Sequence, residues 1–226
     1  MITLATLYSC HQKEGTQVMQ VGSFDSTAIA TDTEMQQTME GSYEYSKSVT
    51  VSPKLVYDVI AYGGPASRGE YAIIRRGADN KPDTVAHGRR KGIFKDAFTA
   101  DLNNNCDPEI YIAEQSADKG KYGNIIGWEF DKEGKGAPLR FEHVFAKKTD
   151  VYRGGDSICP GKYTDGKDAV FVTFPAYRST DVAGHPTAGT IKIIYMLADG
   201  ELYPKAVNTP PAVSKNQWYL YFKTNK

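Results

Sequence analysis

Several short stretches of the chain place reactive or ligating side chains at suggestive spacings. In Asp101-Leu102-Asn103-Asn104-Asn105-Cys106-Asp107-Pro108-Glu109, oxygen-bearing side chains fall at loop positions one, three, five, seven and nine, directly ahead of an apolar run. A hard cation needs converging oxygens, and alternate residues of a tight loop supply them, so Asp101, Asn103, Asn105, Asp107 and Glu109 are candidate ligands for Ca2+. Asn103 and Asn105 stand where aspartate is usual, and Cys106 occupies the sharp-turn position that glycine normally takes. Lower charge weakens calcium binding, and the competing reading is an Asx-rich turn whose side chains bond their own backbone.

A second block, Gly154-Gly155-Asp156-Ser157-Ile158, has the look of the nucleophile block of Gly-Asp-Ser hydrolases. Such chemistry requires a histidine base oriented by an acid. The nearest pair, Asp181 and His185, is spaced by four residues where that class expects three, and the block lies in a β-patterned part of the chain. A turn capped by Asp and Ser is the simpler reading. The four histidines, His11, His87, His143 and His185, form no i, i+4 pair and have no Cys-x-x-Cys partner, so a zinc site is unsupported. Arg75-Arg76 and Arg89-Arg90-Lys91 read as solvated strand ends.

The third stretch is the loop Ser116-Ala117-Asp118-Lys119-Gly120-Lys121-Tyr122-Gly123. A Tyr exposed at a loop tip makes a binding anchor, because it offers large contact area at low rotamer cost. The same residue could instead fold back on the sheet.

The elements that must carry these loops are β-strands. Runs such as Leu55 to Tyr62, Glu70 to Arg76, Ile93 to Thr99, Glu109 to Glu114, Asn124 to Phe130, Leu139 to Phe145, Ala169 to Phe174, Thr190 to Leu197 and Gln217 to Phe222 are β-branched or aromatic. Gly, Pro, Asn or Asp bound them. No helical stripe of eleven residues interrupts the folded part, which argues against a doubly wound α/β enzyme. The expectation is an all-β fold, an antiparallel sandwich or barrel-like domain with long loops, behind a flexible N-terminal tether.

Composition narrows the function. With 27 basic and 27 acidic side chains the formal net charge is zero, which lacks the basic excess of a nucleic-acid binder. Hydrophobic residues at 40% are too many for a disordered chain, yet no run approaches a membrane-spanning helix.

Residues 1–10 end in Leu7-Tyr8-Ser9-Cys10 after a short apolar run, which resembles a bacterial lipoprotein signal with a truncated front. Cys10 would then carry the lipid, anchoring the chain to a membrane without crossing it. Residues 11–46 are rich in Thr, Gln, Glu and Ser and read as tether, leaving 47–226 as one β domain. In an oxidising envelope Cys106 and Cys159 are a candidate disulfide pair.

The stretch from Phe98 to Gly127 resembles the periplasmic inhibitors of invertebrate-type lysozyme and their bacterial lipoprotein relatives. It is carried by the Asp-Leu-Asn-Asn-Asn-Cys-Asp-Pro-Glu-Ile block, Gln115-Ser116-Ala117 and the Gly120-Lys121-Tyr122-Gly123 loop. Tyr152-Arg153-Gly154-Gly155-Asp156-Ser157, Phe174-Pro175-Ala176-Tyr177 and His185-Pro186-Thr187-Ala188-Gly189-Thr190 extend the likeness. The resemblance implies an all-β, non-catalytic envelope protein, periplasmic or on the outer membrane. Its exposed Ser-Gly-x-Tyr loop would enter a lysozyme cleft, with Ser116, Lys119, Gly120 and Tyr122 as partner-binding residues. Gly120 and Tyr122 match that loop, but Lys119 stands where its serine belongs. A hydroxyl donates and accepts, whereas an ammonium only donates, so Lys119 would pair with a carboxylate of the partner. The alternative is a calcium-stabilised module binding a glycan or another protein, with a Gly-Asp-Ser hydrolase behind it.

Overall fold

In the computed structural model, residues 44–65, 68–144 and 150–210 are described. Among them there are twelve strands and no helix, so the all-β expectation is met. Four strands, β1 (Tyr45–Ser52), β2 (Leu55–Tyr62), β3 (Gly69–Arg76) and β4 (Pro82–Arg90), form an antiparallel meander. Eight more form a second sheet: β5 (Ile93–Thr99), β6 (Glu109–Gln115), β7 (Gly123–Phe130), β8 (Gly136–Phe141), β9 (Ser157–Lys162), β10 (Asp168–Ala176), β11 (Gly189–Ala198) and β12 (Glu201–Asn208). Its spatial order is β5-β6-β7-β8-β12-β11-β10-β9. Two antiparallel meanders, β5–β8 and β9–β12, are thus joined where β12 lies parallel to β8. The free edges β5 and β9 come together, so the sheet curls into a nearly closed barrel.

Alternation along the strands builds the core. In β10, Val170, Val172, Phe174 and Ala176 point into the barrel, and in β11 Ile191, Ile193, Tyr195 and Leu197 meet them. The strand β6 is buried on both faces. Tyr111 faces the barrel interior, while Ile110 and Ile112 pack with Tyr57, Val59, Ile73 and Phe130 between the two sheets. A strand covered on both sides reads as a continuous apolar run rather than an alternation, as Ile110-Tyr111-Ile112-Ala113 does. The Tyr57 and Phe130 rings stack across the inter-sheet layer at 4.9 Å.

Several sequence expectations need correction. Among the described residues the first strand is β1, from Tyr45, and β1, β4, β9 and β12 are strands that the sequence patterns do not single out. These strands are polar or broken by Pro and Gly. Pro82 opens the edge strand β4, and Pro204 sits where β12 shifts register against Ile194 and Tyr195. Cys159 has a free, exposed thiol and Cys106 is disulfide-bonded, so the candidate Cys106–Cys159 pair does not form. Arg90 is no solvated strand end: it is buried, ion-pairs with Glu44 and reaches the Pro65 carbonyl at 3.2 Å. Arg76 bonds Asp58 at 2.7 Å. The Cys10 lipidation site and the Gln217 to Phe222 run lie outside the described residues.

Candidate functional site

The Ser116–Gly123 loop joins β6 to β7 and is built by its own side chains. Ser116 Oγ donates to Asp118 Oδ1 at 2.7 Å and accepts the Tyr122 amide at 2.8 Å. Asp118 Oδ1 also accepts the amides of Gly120 and Lys121, each at 3.1 Å. Asp and Ser side chains bonding backbone two or three residues on is the chemistry that closes tight turns. Lys121 sits in the left-handed region, φ 49°, a conformation that costs a non-glycine residue about 1 kcal/mol.

The Tyr122 ring does not stand out as an exposed anchor. It is half-buried, lies over Gly120 and meets the Tyr152 ring edge-on at 5.5 Å. A Cβ at Gly120 would come within 2.2 Å of that ring, so glycine is required there for packing. The side chains that do project are Lys119 and Lys121. Both are exposed, and among the described residues neither has an ion-pair partner.

The segment between β8 and β9 braces the loop from below. The Gly155 amide donates to the Gly120 carbonyl at 2.8 Å. Gly154, at φ 85°, passes so close that a Cβ would lie 1.9 Å from the same carbonyl oxygen. Asp156 is buried beside them, its Oδ2 accepting the Gly123 amide and the Tyr152 hydroxyl, both at 2.7 Å. Burial, and after it the Asp156 carboxylate, pushes the Tyr152 phenol well above its usual range, so it remains a donor at ordinary pH.

The structure therefore gives the Gly-Asp-Ser block a different role from the nucleophile block it resembles. Ser157 is exposed at the start of β9 and makes no side-chain hydrogen bond to a histidine among the described residues. His143 Nε2 is engaged instead by Asp156 Oδ1 at 3.2 Å. Asp181 accepts the amides of Arg178 and Thr187 at 2.8 Å each and the Thr187 hydroxyl at 2.7 Å. Those hydrogen bonds hold its carboxyl below the usual range and make it a turn cap rather than an orienter of His185.

The Asp101–Glu109 loop is closed by Asx turns. Asp101 Oδ1 accepts the Asn105 amide at 3.1 Å and Oδ2 the Cys106 amide at 3.2 Å. Asn103 Oδ1 also takes the Asn105 amide at 3.1 Å, and Asn105 Oδ1 takes that of Asp107 at 2.8 Å. The side-chain amides of Asn103 and Asn105 both donate to Glu129 Oε1 at 2.7 Å. Asp107 and Glu109 line a cavity of about 460 Å³ beside this loop. Glu109 is completely buried, with Oε2 accepting the Leu102 amide at 3.0 Å and the Tyr111 hydroxyl at 2.6 Å, and Oε1 without a hydrogen-bond partner among the described residues. Among the described residues no group of three or more His, Cys, Asp or Glu side chains is arranged to hold a metal ion.

Sequence reasoning missed Asp156, His143 and Tyr152 as parts of the loop's support. The one signal was the proximity of Tyr152 and Asp156 in the chain; the thirty-odd residues between Gly123 and Asp156 hid their contact.

No protein-family profile matches the chain, and no curated protein matches it in sequence. Among solved structures, the periplasmic lysozyme inhibitor of I-type lysozyme from Aeromonas hydrophyla aligns at 21% identity and a TM-score of 0.38. That alignment covers 42% of this chain and 86% of the inhibitor. A GH43 β-xylosidase/α-arabinofuranosidase from a compost microbial metagenome aligns at 14% identity and a TM-score of 0.39, over 75% of this chain and 59% of the enzyme. Neither likeness is close enough to decide function, which rests on the residues themselves.

Proposed function

We propose that the protein is a non-catalytic binding module of the bacterial envelope that inserts its Ser116–Gly123 loop into an acidic cleft, of the kind a lysozyme-type glycosidase presents. The observation that carries this reading is the loop itself, shaped by Ser116 and Asp118, braced by Gly155, and tipped by two exposed lysines that have no ion-pair partner among the described residues. A rigid prong loses little conformational entropy on docking, and Lys119 and Lys121 complement carboxylates of the kind that perform glycoside hydrolysis. Tyr122, half-buried against Tyr152, packs the base of the prong.

The sequence resemblance around Phe98 to Gly127 supports the same partner class. The alternative, a module binding a glycan or another envelope protein, uses the same loop with a different acidic surface. Titration of the full chain against invertebrate-type, chicken-type and goose-type lysozymes, with cell-wall hydrolysis as readout, separates the two. Inhibition of one class supports the lysozyme reading; inhibition of none removes it.

A further inference from the structure

The Asp156 carboxylate touches three separate parts of the chain at once. Oδ2 takes the amide of Gly123, the last residue of the loop and the first of β7, together with the Tyr152 hydroxyl, each at 2.7 Å. Oδ1 faces His143 Nε2 at 3.2 Å, from the segment that follows β8. The Asp156 side chain has no exposure to solvent, and the His143 and Tyr152 rings stack at 5.1 Å beside it. Its backbone carbonyl accepts Gln115 Nε2 at 3.3 Å, so the other stem of the loop, the end of β6, is held by the same residue.

A buried carboxylate is costly unless its lone pairs are used, and here its partners come from one stem and the floor of the loop, while the other stem is held by the backbone carbonyl of the same residue. We propose that Asp156 is the positioning residue of the Ser116–Gly123 loop, a clasp that fixes the loop's shape before any partner arrives. Tyr152 and His143 hold the carboxylate in place, and the Gly155 amide on the Gly120 carbonyl completes the brace. For its effect on a partner this rests on the loop-in-cleft reading; for its effect on the loop it does not.

The test is amide hydrogen exchange, read locally. In Asp156→Ala the Gly123 and Gly155 amides exchange at least tenfold faster than in the parent, while those of Ile191 and Ile193 in β11 change less than threefold. Asp156→Asn restores protection to within threefold, because its amide oxygen can accept the same two donors and the His143 tautomer with Nε2 unprotonated can accept its NH2. If Asp156→Ala does not fold, Tyr152→Phe serves instead. It removes one donor, leaves the Gly123 contact in place, and raises exchange at Gly123 threefold or more. Equal changes at Gly123 and in β11, or none at Gly123 in either variant, overturn the clasp. Faster loop exchange with unaltered lysozyme inhibition upholds the clasp and removes the loop from the binding site instead.

Discussion

Glu109 offers a direct measure of what burying a carboxyl inside this barrel costs. Burial raises its pKa from 4.5 to about 7, outweighing the lowering by hydrogen bonds from Tyr111 and Leu102, and the charges of Asp101 and Glu129 add to the rise. At about 1.4 kcal/mol per pKa unit, the ionised form destabilises the fold by about 3 kcal/mol relative to the unfolded chain. A folded pKa raised above the unfolded one means that the native state binds the proton more tightly. This contribution therefore weakens the fold as pH climbs from about 4.5 to about 7, and the full penalty persists above that. Glu109→Gln imitates the protonated side chain. Its amide oxygen accepts the same two donors, and its NH2 stands where the proton-bearing Oε1 would. Urea unfolding of parent and variant across pH 4.5 to 8.5 isolates the effect, since every other titrating group is common to both. Beyond a pH-independent offset from placing an NH2 where Oε1 has no partner, the stability of the variant relative to the parent should rise by roughly 2 to 3 kcal/mol between pH 4.5 and pH 8.5. A stability difference that does not vary with pH would refute the reasoning.

Other outcomes follow from the same geometry. Gly154→Ala sets a Cβ 1.9 Å from the Gly120 carbonyl oxygen at φ 85°. It should cost roughly 2 kcal/mol or more in thermal or urea unfolding, and a loss below about 0.5 kcal/mol would mean the brace is slack. Among the described residues the Asp101–Glu109 side chains are not gathered around a common point for a cation, so the melting temperature should be the same in millimolar calcium and in chelator. A rise of several degrees with calcium would show that the loop reorganises around an ion. Native maleimide labelling without reductant followed by peptide mapping should place the label on Cys159 and not on Cys106, and label on Cys106 would contradict its disulfide.

The sequence made the buried strands legible and the edge strands obscure, for a physical reason. β6 and β10 are packed by apolar side chains, so Ile110-Tyr111-Ile112 and Val170-Phe171-Val172 announce themselves. β1 and β9 sit at sheet edges and expose half or more of their residues, and their stability comes from backbone pairing to β2 and β10 that leaves little compositional trace. The loop at the centre of the proposed function was visible through Asp118, Gly120 and Tyr122. Sequence left open whether Tyr122 folds back, and could not name the ring it meets, which belongs to Tyr152, thirty residues further on. Likewise a buried Asp-Tyr-His cluster and a nucleophile block share the same residue types, and only the contact with Gly123 tells them apart.

The most direct test of loop-in-cleft binding compares the parent with a Lys119→Ala, Tyr122→Ala double variant in lysozyme inhibition, after circular dichroism confirms that the variant folds. Inhibition by the parent at a Kd on the order of micromolar or tighter, weakened at least tenfold in the double variant, is the predicted result. Equal inhibition by both proteins would contradict the assignment of the loop.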